Sequence, residues 1–190
     1  MKRIGLTGGI GSGKSYIAGI LEKMGYPVYY SDAQSKALTD THPVIHEKLV
    51  ARFGREIYTE EGVNRKLLAE FIFASEEHRL FINELIHPIV RENFKHWCSE
   101  QRSPIVFNEA AILFETGAYR QFDGTLLVVA PEDVRIQRIM KRDQCTAEEA
   151  DARMKSQWSD QLKIPLANMV LTNNGHEPLL IQIEGFLSSL

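Results

Sequence analysis

A chain of 190 residues, 44% hydrophobic and 25% charged, has the composition of an ordinary soluble globular protein, long enough for one α/β domain with an insertion. A formal net charge of −3 offers none of the basic excess that a nucleic-acid partner asks for, and no apolar run has the length of a membrane span. Cys98 and Cys145 have neither a C-x-x-C spacing nor zinc-ligand neighbours, so two free thiols in a reducing, cytoplasmic setting are expected, with no room for a signal peptide.

The chain opens with an apolar strand over residues 2–7 and passes directly into Gly8-Gly9-Ile10-Gly11-Ser12-Gly13-Lys14-Ser15, a full match to G-x-x-x-x-G-K-[ST]. An amphipathic helix follows, from Lys14 to about Met24, with Gly25 as its C-terminal glycine. Strand, loop and helix in that order make an anion nest. Glycines let successive N–H groups turn inward at a positive helix N-terminus, Lys14 reaches the β- and γ-phosphates, and the Ser15 hydroxyl takes a place on Mg²⁺. ATP or GTP is therefore expected here, on Gly8 to Ser15 and the adjoining Tyr16.

Pro27-Val28-Tyr29-Tyr30 reads as a second strand, followed by Ser31-Asp32, both good N-cap types, ahead of a helix. The next strand is Ile105-Val106-Phe107, and the 73 residues from Ser31 to Ser103 are too many for a simple crossover helix. Helical patterns fill the gap. One runs from Pro43 to a stop at Gly54, one from Asn64 to Phe73, and one from a Ser75 cap toward Trp97 with a kink or break at Pro88. Thr125 to Ala130 is the clearest central strand, and a helix begins at Pro131 and ends near Arg142-Asp143. Thr146-Ala147-Glu148-Glu149 is a capping box, Met169 to Thr172 a last strand, and Pro178 to Leu190 a closing helix. Alternating strands and helices predict a parallel five-stranded sheet with helices on both faces.

Beyond the loop, each candidate has a structural alternative. Asp32 lies just past a strand end, where ligands bind in parallel sheets; it can accept a hydroxyl proton, hold a metal-bound water, or simply cap its helix. Arg135, Arg138 and Arg142 share one helix face, either as a clamp on transferring phosphates or as complements to the helix dipole. Arg135, furthest from the helix end, is expected to be the bystander of the three. Arg153 and Lys163 add basic groups within residues 143–164, a mostly polar stretch that reads as a lid. His87 lies on an apolar helix face, where a structural role is the commoner one. Arg65 and Lys66 can meet acceptor phosphates or remain solvated.

Taken together, these pieces resemble the dephospho-coenzyme A kinase family over nearly the whole chain. The resemblance rests on Leu6-Thr7 with the loop, Ser31-Asp32-Ala33, Asn64-Arg65 with Ile72-Phe73, Leu85-Ile86-His87-Pro88, Ile112-Leu113-Phe114-Glu115, Gln137-Arg138 with Arg142-Asp143, Arg153 with Gln157, and Asn173-Asn174-Gly175. The family's Asp-Ala-Asp after the second strand is Tyr30-Ser31-Asp32 here, its proline before Leu-Leu-Phe-Glu is Ala111, and the residue after the loop serine, often Thr, is Tyr16.

The resemblance implies a P-loop kinase with a core of about 1–31, 104–142 and 165–190, a helical acceptor-binding insertion over about 32–103, and a lid over about 143–164. It implies transfer of the ATP γ-phosphoryl to the ribose 3′-hydroxyl of dephospho-coenzyme A, with Mg²⁺ on Ser15 and Asp32. Asp32, Lys14, Arg138 and Arg142 would be catalytic, Asn173 would join the ATP site, and Arg65 and His87 would lie near the acceptor. No nucleic acid or membrane is expected, and a monomer or weak homo-oligomer is. Another small P-loop kinase is the neighbouring alternative. A guanine-nucleotide switch would need an Asn-Lys-x-Asp element, and the chain has none.

Overall fold

The computed structural model describes residues 1–190, which divide into two compact units. The first comprises Met1–Tyr29 and Gln101–Leu190, and the second Tyr30–Glu100.

The first unit is built on a five-stranded sheet. Its strands are β1 (Lys2–Thr7), β2 (Val28–Tyr30), β5 (Ile105–Glu109), β6 (Gly124–Val129) and β7 (Met169–Thr172), in the spatial order β2-β5-β1-β6-β7. The expected parallel five-stranded sheet is therefore present, with β1 flanked by β5 and β6 in parallel register. Right-handed crossovers from β1 out to one edge and from β6 out to the other place α1 (Lys14–Lys23) and α6 (Glu132–Asp143) on opposite faces. Ile4, Leu6, Val106, Phe107, Leu126, Leu127 and Val128 fill the sheet interior, covered by Ile17 and Leu21 of α1, Ile139 of α6 and Ile183 of α9 (Leu179–Ser188). Buried on both faces, the central strands are continuously apolar rather than alternating, which is what made Thr125–Val129 so legible.

Helix ends follow the local signals. Gly25 adopts φ 89° past the end of α1, with its N–H on the Glu22 carbonyl and that of Tyr26 on Leu21. Thr146 and Glu149 make the reciprocal capping box of α7 (Ala147–Lys155). A four-residue helix, α8 (Asp160–Lys163), precedes β7.

The second unit contains α2 (Ser31–Thr41), α3 (Pro43–Phe53), α4 (Arg65–Ala74) and α5 (Glu76–Ser99). Ile45, Leu49 and Phe53 of α3 pack with Leu68 of α4 and Ile82 and Ile86 of α5 around Ile57 and Val63. Ser75 caps α5 as expected, through the His78 amide, and Asn64 caps α4 through the Leu67 amide.

Three local expectations need correcting. Helix α2 begins at Ser31 with Tyr30 in the N-cap position and no side-chain cap, so Asp32 lies inside the first turn and is not the cap. Strand β2 runs into the helix with no residue between them, leaving the chain no place for an N-cap side chain. Helix α5, 24 residues long, continues through Pro88, because both flanking turns are anchored in the apolar cluster, by Ile82 and Ile86 before it and Ile89 and Val90 after it. A small hairpin, β3 (Tyr58–Thr59) with β4 (Gly62–Val63), is too short to show an alternating pattern and was not expected. No helix is long and apolar enough to cross a membrane.

Candidate active site

The loop of Gly8 to Ser15 joins β1 to α1 at the carboxyl edge of the sheet. Gly11 and Gly13 have φ of 79° and 93°, and a Cβ on Gly13 would come within 2.2 Å of the Asn173 amide nitrogen, so both conformation and space require glycine. Gly13 is the N-cap of α1, and no side chain caps that helix and no acid lies in its first turn. The end that would bind an anion has thus been left without an internal one.

The loop's carbonyls are taken from behind. Arg135 donates Nε–H to the Ile10 carbonyl at 2.9 Å; Arg138 donates to the carbonyls of Gly11 and Ser12, both at 3.2 Å; Asn173 donates its side-chain amide to Ser12 at 2.8 Å. Arg138 also reaches the backbone and side-chain oxygens of Asn173. Arg135, only 7% exposed, is paired with Asp160 as well. The expected stripe therefore divides. Arg135 and Arg138 hold the loop, and Arg135 is no bystander, because one helical turn of α6 lies directly against the loop backbone. Arg142 turns away to a bidentate pair with Asp143, which Arg153 also contacts. That pairing raises the Arg142 pKa and holds the Asp143 carboxyl below its ordinary range.

Lys14 and Ser15 share one acceptor that the sequence reading missed. Glu109, at the carboxyl end of β5, lies 3.4 Å from the Lys14 ammonium and 3.4 Å from the Ser15 hydroxyl through the same oxygen, Oε1. Its strand register puts it beside Leu6, one residue before β1 enters the loop region. The available signal was an acid closing the run Ile105-Val106-Phe107-Asn108, at the end of a strand neighbouring the phosphate loop's own. Hydroxyl and carboxylate oxygens together suit Mg²⁺, which takes one or two protein oxygens and completes its shell with phosphate and water.

The other predicted residues occupy simpler settings. Tyr16 is exposed on α1 and donates its N–H to the Gly13 carbonyl. Lys163 is fully buried against Glu115 rather than presented as a surface cation. In the second unit, Asp32 is exposed in the first turn of α2. Arg65 pairs with Asp40, whose other oxygen accepts the Val63 N–H at 3.1 Å. Burial, and then the charge of Asp40, push the pKa of the neighbouring Tyr58 up to about 12. His87 is half-buried on α5, and burial followed by the Arg91 charge lowers its pKa, favouring the neutral imidazole. A groove of about 800 Å³ in this unit is lined by Leu38, His42, Pro88, Ile89 and Glu92 among others, but not by Arg65 or His87.

Comparison with known proteins agrees with this arrangement. The dephospho-CoA kinase family model matches residues 2–178. A dephospho-CoA kinase of Bacteroides fragilis (strain YCH46) is 42% identical over 182 residues, 95% of this chain and 89% of that one. One from Streptococcus pneumoniae (strain ATCC BAA-255 / R6) is 37% identical over 183 residues, covering 95% and 91%. A crystal structure of a Thermus thermophilus protein superposes with a TM-score of 0.88 at 34% identity, over 100% of this chain and 97% of that one. A shikimate kinase from Acinetobacter baumannii, at 15% identity, 100% and 94% coverage and a TM-score of 0.57, shares the fold.

Proposed function

The chain belongs to the dephospho-CoA kinase family, and from that premise we propose how its own residues carry out the transfer. It phosphorylates dephospho-CoA to coenzyme A in coenzyme A biosynthesis. The finer reading is that the ATP γ-phosphoryl goes to the ribose 3′-hydroxyl, in the cytoplasm, with two small molecules as the substrates.

The observation that carries this reading is the Lys14–Glu109–Ser15 cluster at the mouth of an uncapped, arginine-braced glycine loop. The loop backbone from Gly9 to Ser15 receives the phosphates, through the N–H groups other than those of Ile10 and Ser12, which are given to Gln157 and to the Gly9 carbonyl, and Lys14 neutralises the β- and γ-oxygens. Ser15 and Glu109 would hold Mg²⁺, which would supply positive charge to offset what develops on the phosphates in transfer. Asp32 accepts or orients the acceptor hydroxyl, a role supported by its exposed place just beyond the β2 end and by its not serving as a cap. Arg142 closes over the transferring group, exchanging the Asp143 carboxylate for phosphate oxygens of the same fork-matching geometry. Arg65 and His87 meet the acceptor, the first through charge and the second as a neutral hydrogen-bonding ring.

The direct test is incubation with Mg-ATP and dephospho-CoA, with coenzyme A read by mass, and AMP and shikimate as control acceptors. Coenzyme A formation with little transfer to the controls is expected. Robust transfer to AMP and none to dephospho-CoA would overturn the reading.

A further inference from the structure

The segment from Gln157 to Lys163 is folded with its polarity inverted. Gln157, Asp160 and Lys163 turn their polar groups to the rest of the unit, while Trp158 and Leu162, with Ile164 and Leu166 just beyond, are 42%, 58%, 44% and 37% exposed. Lys163 is 0% exposed, its ammonium 2.8 Å from Glu115 Oε1. Lysine is among the residues least often fully buried, and a pair of apolar side chains in place of Lys163 and Glu115 would ordinarily serve stability as well or better.

Four contacts tie this short segment to three elements of the first unit. Gln157 accepts the Ile10 N–H at 2.8 Å, Trp158 donates its N–H to Glu115 at 3.3 Å, Asp160 pairs with Arg135 at 3.2 Å, and Lys163 pairs with Glu115. The two peptide groups that flank the Ile10 Cα are consequently both held, the one through its N–H by Gln157 and the other through its carbonyl by Arg135. Yet the network is incompletely satisfied. Glu115 Oε2, Asp160 Oδ1 and Lys163 Nζ are buried without an aligned hydrogen-bond partner, the Lys163–Glu115 contact being one of distance rather than of hydrogen-bond geometry. A latch of polar contacts exchanges them for water on opening, so its net hold is modest, and the partly exposed apolar residues add less than a packed core would.

We propose that Lys163 is a positioning residue for phosphoryl transfer, the buried post of a polar latch that docks residues 157–163 on the Ile10 peptide and so sets the phosphate loop for turnover. The proposal rests on the reading of residues 143–164 as a lid over the nucleotide loop. It assigns the latch to ion pairs and backbone hydrogen bonds rather than to apolar closure. Lys163 touches no reacting atom and acts through Glu115.

The test uses the full chain carrying Lys163→Met, Glu115→Gln and both together. Steady-state turnover is measured alongside amide exchange of Ile10 and Trp158 with and without Mg-ATP. The latch predicts a fall in kcat of about tenfold or more in each single variant and no further fall in the double, since the two changes release one contact. It also predicts faster exchange at Ile10 and Trp158 while amides of β1 and β6 keep their protection. Wild-type kcat, additive losses, or a loss of kcat with exchange at the two amides unchanged would each overturn it. If Lys163→Met does not fold, Gln157→Ala, at a half-buried position, decides by the same two readings. The exchange arm needs only Mg-ATP, so a different phosphoryl acceptor would overturn the proposed function and leave the latch measurable.

Discussion

Replacing Glu109 with glutamine separates two functions that one oxygen serves in the structure. At 3.4 Å and an effective dielectric constant of about 20, the gross attraction between Glu109 and Lys14 is about 5 kcal/mol. Desolvation offsets much of it, because the two side chains are 6% and 17% exposed. Glutamine keeps the shape and removes the charge, leaving the ammonium uncompensated at a cost of about 1–3 kcal/mol. For a chain of this length that is a fall in melting temperature of about 2–12 °C at about 2–4 °C per kcal/mol. ATP without metal should restore the loss, because its phosphates replace the missing negative charge and no longer compete with a carboxylate for Lys14. Turnover should go the other way, falling by about 10²-fold or more with a raised requirement for Mg²⁺, since a charged ligand of the cation site has gone. The assays are thermal denaturation with and without nucleotide, and kcat across a magnesium titration. A folded Glu109→Gln protein with wild-type kcat and an unshifted magnesium dependence would refute the metal role and leave Glu109 as a counter-charge for Lys14 alone.

The remaining predictions concern the other charged groups. Lys14→Ala should stay folded and lose turnover by about 10²-fold or more, and unchanged turnover would mean that this loop is not the ATP site. Asp32→Asn should lower kcat while its part in the α2 dipole limits that stability change to about 0.3–1 kcal/mol; a large drop in melting temperature with kcat intact would make the residue structural. Lysine at 135, 138 and 142 should give two signatures. Arg135→Lys and Arg138→Lys should each cost about 1–3 kcal/mol of stability through lost charge-assisted bonds to the loop. Arg142→Lys, 62% exposed, should leave the melting temperature in place and lower kcat, and wild-type kcat there would remove the clamp.

What could be read from the chain was local. The Gly8–Ser15 loop, the Gly25 stop, the Ser75 cap and the Thr146 box each write their geometry into neighbouring residues, and all are present. What escaped was set by partners distant in sequence. Glu109 meets Lys14 because β5 inserts beside β1 after the whole second unit, an ordering that no local pattern reveals. Lys163 looked like one more surface cation because nothing near it in sequence announces Glu115, 48 positions earlier. The arginine spacing placed three side chains on one face but could not say which end of that face meets the loop. The Pro88 break failed for the same reason, since apolar packing on both sides of it outweighs the one hydrogen bond that proline removes.

The division of the arginine stripe also explains how a loop of glycines acquires a single conformation. Glycine permits the inward turn of the N–H groups but does not select it, and each glycine costs more backbone entropy to fix than another residue would. Selection comes from behind. Arg135 and Arg138, one turn apart on α6, meet the carbonyls of Ile10, Gly11 and Ser12, while Asn173 at the end of β7 adds a second donor to Ser12. A peptide whose carbonyl is held outward by a cation presents its N–H to the opposite side, and the same cation polarises it into a better donor. The two arginines therefore act on the phosphates through the peptides that end in the Gly11 and Gly13 N–H groups, the Ser12 N–H being held by the Gly9 carbonyl, without having to touch them. Arginine suits that task better than lysine, because one rigid guanidinium serves two places at a fixed separation, Nη1 of Arg138 donating to the Gly11 and Ser12 carbonyls while Nη2 donates to Asn173, whereas an ammonium would leave their orientation to thermal motion.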